Sequence, residues 1–224
     1  MGLTNSVKVV IPWWKETTDP HRERSLEFCV SMWNSYGFDV CLAVDESPIF
    51  NRSKACNKGV RDSEAELIVL ADGDVYIPQA PIEEGVQIVS FDETWVIPYD
   101  VYFNLTQEDT DHFLNGTKKI EECSWDHRIL SWAGLSIFKR ETYLDLGGHD
   151  ERFEGWGEED VAFRLKMDNE YSHHKRVAGN IYHLWHPAPS ERTFGSEEYK
   201  KNRMLLEQEY KSKYKWTDER LKWL

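Results

Sequence analysis

The stretch "LIVLADGDVYIP", Leu67 to Pro78, decides how this chain is read. Its first five residues are apolar and suit a strand buried on both faces. Asp72 and Asp74 follow at once, and then apolar residues resume. Carboxylates in that place either cap an Asx turn or hold a hard cation that takes oxygen ligands. The segments before it favour the second reading. Val7 to Pro12 is a short β-branched run that reads as a strand. Asp19 to Tyr36 has helical spacing through Leu26, Val30 and Trp33 and stops at Gly37. Phe38 to Val44 reads as a second strand, Asn51 to Asp62 as a helix with Ala55 and Val60 inward, and Glu66 to Ala71 as the third strand. Strands alternating with helices imply a parallel sheet covered by helices on its faces. Ligands bind such sheets beyond the carboxyl ends of the strands, where Asp72 and Asp74 fall. A Mg2+ or Mn2+ ion there would bridge a diphosphate.

The rest of the chain is less regular. Val86–Phe91 and Thr94–Ile97 suit a hairpin. Thr106–Leu114 suits a short helix capped by Thr106, with Asp109 completing a capping box. Ile129–Phe138 reads as a strand, Arg140–Leu146 as a helix ended by Gly147-Gly148, Glu158–Asn169 as a helix and Arg176–Leu184 as a strand. Ser196–Tyr214 reads as a long charged helix with Met204, Leu205 and Tyr210 inward. No internal repeat or low-complexity linker divides the 224 residues, which suit one domain.

Composition narrows the function classes. The apolar fraction is 40% and the charged fraction 30%, and no apolar run approaches the roughly 20 residues a membrane span needs. "MGLTNS" has the spacing of a myristoylation signal, but Val7–Pro12 immediately after it reads as core. No signal peptide is legible, and a cytoplasmic location is expected. The four cysteines form no CxxC pair and read as reduced thiols. A net charge of -13 repels a phosphate backbone. Ten tryptophans, several beside Gly, Pro, Asp or His, offer faces on which sugar rings stack.

Three further segments carry chemistry. In "FNRSKACNKGV", Phe50 to Val60, the ordinary reading is a basic helix start; one strand before the aspartates, Arg52 and Lys54 are expected to reach the same diphosphate. In "GGHDERFEGWGEEDVAFRLK", Gly147 to Lys166, glycines flank Trp156, and Glu158, Glu159 and Asp160 follow at a helix N-terminus, where the dipole favours acids. One of those acids would serve as a general base toward an acceptor hydroxyl. In "YHLWHP", Tyr182 to Pro187, His183 and His186 flank Trp185 after a strand, and imidazole joins carboxylates around Mn2+.

Taken in order, "VVIPWWK", "FNRSKACNKGV", "IVLADGDVYIP", "WAGLSIFKRETYLDLGGHDERFEGWGEEDVAFRL" and "YHLWH" resemble the GT-A glycosyltransferases, most of all the beta-1,4-galactosyltransferases with their chondroitin-synthase and polypeptide N-acetylgalactosaminyltransferase relatives. The resemblance runs from Val7 to about His186 and is weakest between Gln79 and Ser131. It implies an α/β chain of GT-A fold: a Rossmann-like nucleotide-binding sheet with helices on both faces, plus a C-terminal helical tail. Residues 7–80 would form the nucleotide-sugar half, 81–190 the acceptor and catalytic half, and 191–224 the tail, within one domain over 1–224. By the same resemblance Pro12 starts the nucleotide loop, and Phe50 and Arg52 lie against the nucleotide diphosphate. Asp72 and Asp74 form the DxD motif, with Asp74 the firmest ligand for Mn2+ or Mg2+. His183 is the further metal ligand, with His186 as the alternative. Trp156 closes on donor and acceptor, and Asp160 or Glu159 is the base.

The chain departs from that pattern at two positions. Glu158 stands where the family has a glycine, and Asn180 where it has a metal-binding methionine. A Golgi anchor and stem are also missing from the sequence, so neither a galactose preference nor a secretory location is expected to carry over. The implied activity is metal-dependent transfer from a UDP-sugar to an acceptor hydroxyl, with inversion. The acceptor stays open among a glycan, a protein, a lipid-linked sugar and a hydroxymethylated DNA base. Two rivals are weaker. A non-catalytic carbohydrate-binding protein needs neither the DxD pair nor Arg52, and a nucleotidyltransferase on a related sheet does not account for the Gly-Trp-Gly-acid segment.

Overall fold

The computed structural model describes residues 6–129, 131–187 and 195–215. The elements run β1 (Val7–Trp14), α1 (Pro20–Ser35), β2 (Asp39–Asp45), α2 (Arg52–Asp62), β3 (Leu67–Ala71), β4 (Val75–Tyr76), α3 (Gln79–Phe91), β5 (Val96–Ile97), β6 (Val101–Leu105), α4 (Gln107–Leu114), β7 (Trp125–Ile129), β8 (Leu135–Lys139), α5 (Arg140–Asp145), α6 (Glu159–Glu170), β9 (Lys175–Arg176), β10 (Asn180–His183) and α7 (Glu197–Leu205). A six-stranded sheet has the order β2-β1-β3-β8-β5-β9, and a four-stranded one the order β4-β10-β6-β7.

The sequence sets the first half directly. All five residues of β3 are buried, so it sits centrally, parallel to β1 with Val9 opposite Val69. That register brings the ends of β1 and β3 to one edge of the sheet. Asp19 caps α1 by accepting from the His21 amide at 2.9 Å, and Pro20, which lacks an amide proton, starts the helix at no cost. Asn51 caps α2 in the same way through the Lys54 amide at 2.9 Å. Gly59 lets α2 lie close on the sheet, since a Cβ there would stand 2.4 Å from Val10 Cγ1. Trp33, Ile11, Ile68 and Ile77 are fully buried in the main core, each such side chain contributing about 1.5–3 kcal/mol by leaving water.

The second half differs from the sequence expectations. Residues 79–91 form a helix, not the first strand of a hairpin: Ile82, Val86 and Val89 are buried at helical spacing. The expected strand over 129–138 divides into β7 and β8, and that over 176–184 into β9 and β10. β8 and β5 are antiparallel to each other and β8 to β3, so the large sheet is mixed. Thr106 caps α4 as expected, but Asp109 leaves the capping box half made. Its carboxylate accepts from the Ser124 amide at 2.7 Å and pairs with Lys118. The charged C-terminal helix passes into a π turn at Leu206–Lys211, with Leu206 and Tyr210 inward and Met204 58% exposed. The myristoylation-like start and the chain beyond residue 215 lie outside the described residues. No described helix is long and apolar enough to cross a membrane.

Candidate active site

The ends of β1 and β3 and the N-termini of α1, α2 and α6 meet around a cleft of about 700 Å³. Pro12, Phe50, Arg52, Asp72, Asp74, Trp156, Glu159, Asp160 and His183 all line it. Residues from distant parts of the chain thus converge on one cleft. Lys54 does not join them. It lines a separate hollow on α2 with Lys58 and Arg61.

Arg52 sits at the centre of the acidic group. Its Nε and Nη2 donate to Asp72 Oδ1 at 3.1 and 2.7 Å, and its Nη1 donates to Asp160 Oδ1 at 3.0 Å. One guanidinium therefore joins the DxD turn to the start of α6. Burial raises the Asp160 carboxyl above its usual range, Arg52 working against that rise. Glu159 beside it has no such partner, and its buried Oε2 accepts no hydrogen bond. Burial, followed by the neighbouring Asp160 charge, pushes Glu159 up to about 7.

The Glu159 shift has a consequence for stability. Its ordinary value is 4.5. Between 4.5 and about 7 the folded chain keeps a proton that the unfolded chain has lost, so stability falls as pH rises through that window, by about 3 kcal/mol at most. Gln has no proton to lose. The melting temperature of Glu159→Gln relative to wild type should therefore rise by several degrees between pH 5 and pH 8. A difference constant with pH would contradict the buried, unpaired carboxyl.

Asp74 belongs to a second cluster. Its Oδ2 lies 3.7 Å from His183 Nε2, 3.4 Å from His186 Nε2 and 4.0 Å from Arg22 Nη1. Burial would raise this carboxyl, but His183, His186 and Arg22 outweigh it and hold Asp74 well below the carboxylate range. Burial lowers His183 below its usual value, with the Asp74 charge working against that fall. His186 donates Nδ1–H to the Pro187 carbonyl at 3.0 Å and accepts at Nε2 from Arg22 Nη2 at 2.9 Å. Those partners assign its tautomer. β10 delivers His183 by pairing it with Val75, and the Leu184 amide donates to the Asp74 carbonyl at 2.8 Å. The ligand atoms of Asp74, His183 and His186 lie within 4.8 Å of one another. One carboxylate and two imidazoles form a donor set that fits Mn2+. Asp72, expected as a metal ligand, stands outside this cluster with its Oδ1 on Arg52. Asn180, in the place of the family methionine, is exposed and donates to the Tyr182 hydroxyl at 3.3 Å.

Trp156 also lines the cleft. The Gly155 amide donates to the Phe50 carbonyl at 2.9 Å, which ties this segment to the start of α2. Gly155 and Gly157 have φ of +69° and +104°, values that favour glycine. Glu158 follows at φ +75°, the only non-glycine with positive φ among the described residues. That backbone costs a β-carbon residue about 1–2 kcal/mol. Arg22 and the α7 residue Glu198 also line the cleft and were not foreseen. A signal for Arg22 existed, because the helix after β1 must begin at this sheet edge. Nothing near Glu198 in the sequence marks it.

The mixed sheet with its covering helices has the fold of the GT-A glycosyltransferases, as the following similarities show. Residues 115–187 match the family model described as the N-terminal domain of galactosyltransferase. Among solved structures the chain is similar to GalNAc-T7 with UDP, GalNAc and Mn2+, at TM-score 0.55 and 14% identity over 91% of this chain. It is similar also to a mutant of Drosophila beta-1,4-galactosyltransferase 7 in complex with manganese, UDP-Gal and xylobiose, at TM-score 0.53 and 12% identity over 86% of this chain. The chain spans about half, 48%, of the GalNAc-T7 chain and 78% of the Drosophila one. No curated protein matches it in sequence.

Proposed function

We propose that the protein transfers a sugar from a UDP-sugar to an acceptor hydroxyl, with a divalent cation at Asp74, His183 and His186. The observation that carries this reading is the meeting of that cluster with the Arg52-linked acids in one cleft. Both structural neighbours were solved with manganese or Mn2+ and with UDP or a UDP-sugar. When bound, the ion would neutralise charge on the departing diphosphate. Arg22 and Arg52 bring further positive charge to the same end of the cleft. The acceptor oxygen attacks the anomeric carbon, the bond from that carbon to the diphosphate breaks, and Asp160 takes the hydroxyl proton. A single displacement of this kind inverts the anomeric centre. Glu159, Glu198 and Trp156 also line the cleft. Carboxylates that accept from sugar hydroxyls beside an aromatic face suit a neutral glycan better than a polyanion such as DNA.

Incubation with a panel of UDP-sugars and Mn2+ tests the reaction. UDP and free or transferred sugar are expected. A nucleotidyltransferase would release no UDP here and would instead release pyrophosphate from UTP and a sugar 1-phosphate; a binding protein would turn over neither. The metal ligands have their own test. His183→Ala and His186→Ala should each weaken Mn2+ binding by about tenfold or more, in line with losses around metal sites, as read by electron paramagnetic resonance of free Mn2+. A His186→Ala protein with wild-type affinity would remove His186 from the set.

A further inference from the structure

We infer that helix α7 is a strap that holds the Trp156 segment over the cleft, with Tyr199, Asn202 and Arg203 as positioning residues. Five consecutive residues of that segment meet the helix. Asn202, 2% exposed, donates Nδ2–H to the Glu154 carbonyl at 2.9 Å and to the Trp156 carbonyl at 3.4 Å. The Tyr199 ring stacks on Trp156 with centroids 5.5 Å apart and planes 26° from parallel. The Tyr199 hydroxyl and Arg203 Nη1 both donate to Glu158 Oε1, at 3.0 and 2.9 Å. Gly155 and Gly157 lie flush against the helix: a Cβ would stand 3.3 Å from Glu198 Cβ at Gly155, and 2.9 Å from Tyr199 Cδ2 at Gly157.

Glu158 makes the strap specific. Its backbone takes the left-handed conformation that glycine adopts freely, and its side chain is only 9% exposed. A carboxylate in that strained place is explained by the two donors that α7 turns toward it. The π turn that continues α7 has its own anchor, mostly outside the segment: Leu206 and Tyr210 pack with Ala162 and Leu165 of α6 as well as Phe153, and the Tyr210 hydroxyl donates to Asp150 at 2.8 Å. The segment is therefore gripped between α7 on one side and the Phe50 carbonyl on the other. A Trp held this way is ready to cover a bound sugar, and a site so covered excludes water. The effect on catalysis rests on the transfer reaction proposed above; the strap itself does not.

Amide hydrogen exchange on the full chain separates the two. In Tyr199→Phe/Arg203→Gln, which removes both donors to Glu158, exchange over residues 153–159 should quicken by about tenfold or more while α6 and α7 stay protected, since local opening is independent of the global fold. Arg203→Lys should retain most of the protection. Glu158→Gly removes the other partner and leaves α7 whole; it too should quicken exchange, although glycine relieves the backbone strain. Unchanged or slower exchange in Glu158→Gly, or unchanged exchange in the double variant with α7 protected, overturns the strap. The second readout is UDP release without acceptor from whichever UDP-sugar of the panel the wild type turns over, expected to rise several-fold in the double variant as water enters. Absence of UDP release from every UDP-sugar of the panel in the wild type would count against the transferase reading, and the exchange result would still decide the strap.

Discussion

Asp160→Asn should lower sugar transfer by about 10²–10⁴, the scale set by losing a general base, while UDP binding stays within about threefold of wild type. The asparagine keeps an oxygen that can accept from Arg52 Nη1, now 3.0 Å from Asp160 Oδ1. The DxD turn should therefore keep its shape, because Arg52 remains bonded to Asp72 through Nε and Nη2. What is lost is the proton-accepting oxygen. Steady-state turnover beside a UDP titration checks this. Glu159→Gln is the necessary partner experiment. Glu159 lies in the same cleft, unpaired, with its carboxyl pushed up to about 7, and a carboxyl poised there also suits a base. If Glu159→Gln suffers the larger loss, the proton goes to Glu159 and Asp160 is the residue that holds Arg52.

Asp74→Asn should weaken Mn2+ binding by more than about 100-fold, beyond the loss usual for a supporting residue around a metal, and should abolish metal-dependent turnover. Among the described residues Asp74 is the one carboxylate that groups with both His183 and His186. It also offsets Arg22. Removing its charge takes away a hard ligand and leaves a guanidinium facing the incoming cation, two changes of the same sign. Mn2+ titration followed by electron paramagnetic resonance reads the first effect without any substrate. An Asp74→Asn protein that binds Mn2+ as the wild type does would place the ion elsewhere.

The parts of this architecture that were legible in the sequence are local ones. β3 and its two acids could be read because a buried strand and a polar turn differ sharply over a few residues. α1 and α2 could be read because Asp19-Pro20 and Asn51 are cap residues that bond to amides two or three positions on. α3 was misread for an equally local reason. Val86, Ile88, Val89 and Phe91 crowd strand-forming residues into six positions, which imitates a strand, and only the wider spacing of Ile82, Val86 and Val89 betrays the helix. The division of labour between the two aspartates was not legible. Asp72 and Asp74 are chemically alike, and it is Arg52, 20 residues away, that claims the first of them. Arg22 reads as an ordinary charged residue in the first turn of a helix, and its approach to His186 spans 164 residues. The grip of α7 on Trp156 is another long-range contact. Glu158 was visible as a departure from the glycine pattern, but its reason lies in Tyr199 and Arg203, more than forty positions later.

The central claim is that this cleft holds a nucleoside diphosphate through a divalent cation. Calorimetric titration of UDP into the wild-type chain, once with Mn2+ and once with EDTA, tests it most directly. The account predicts binding at least about tenfold tighter with Mn2+, because the ion would join the diphosphate to Asp74, His183 and His186, and no such gain in Asp74→Asn. Equal UDP affinity with Mn2+ and with EDTA, or a gain from Mn2+ that survives in Asp74→Asn, would contradict it.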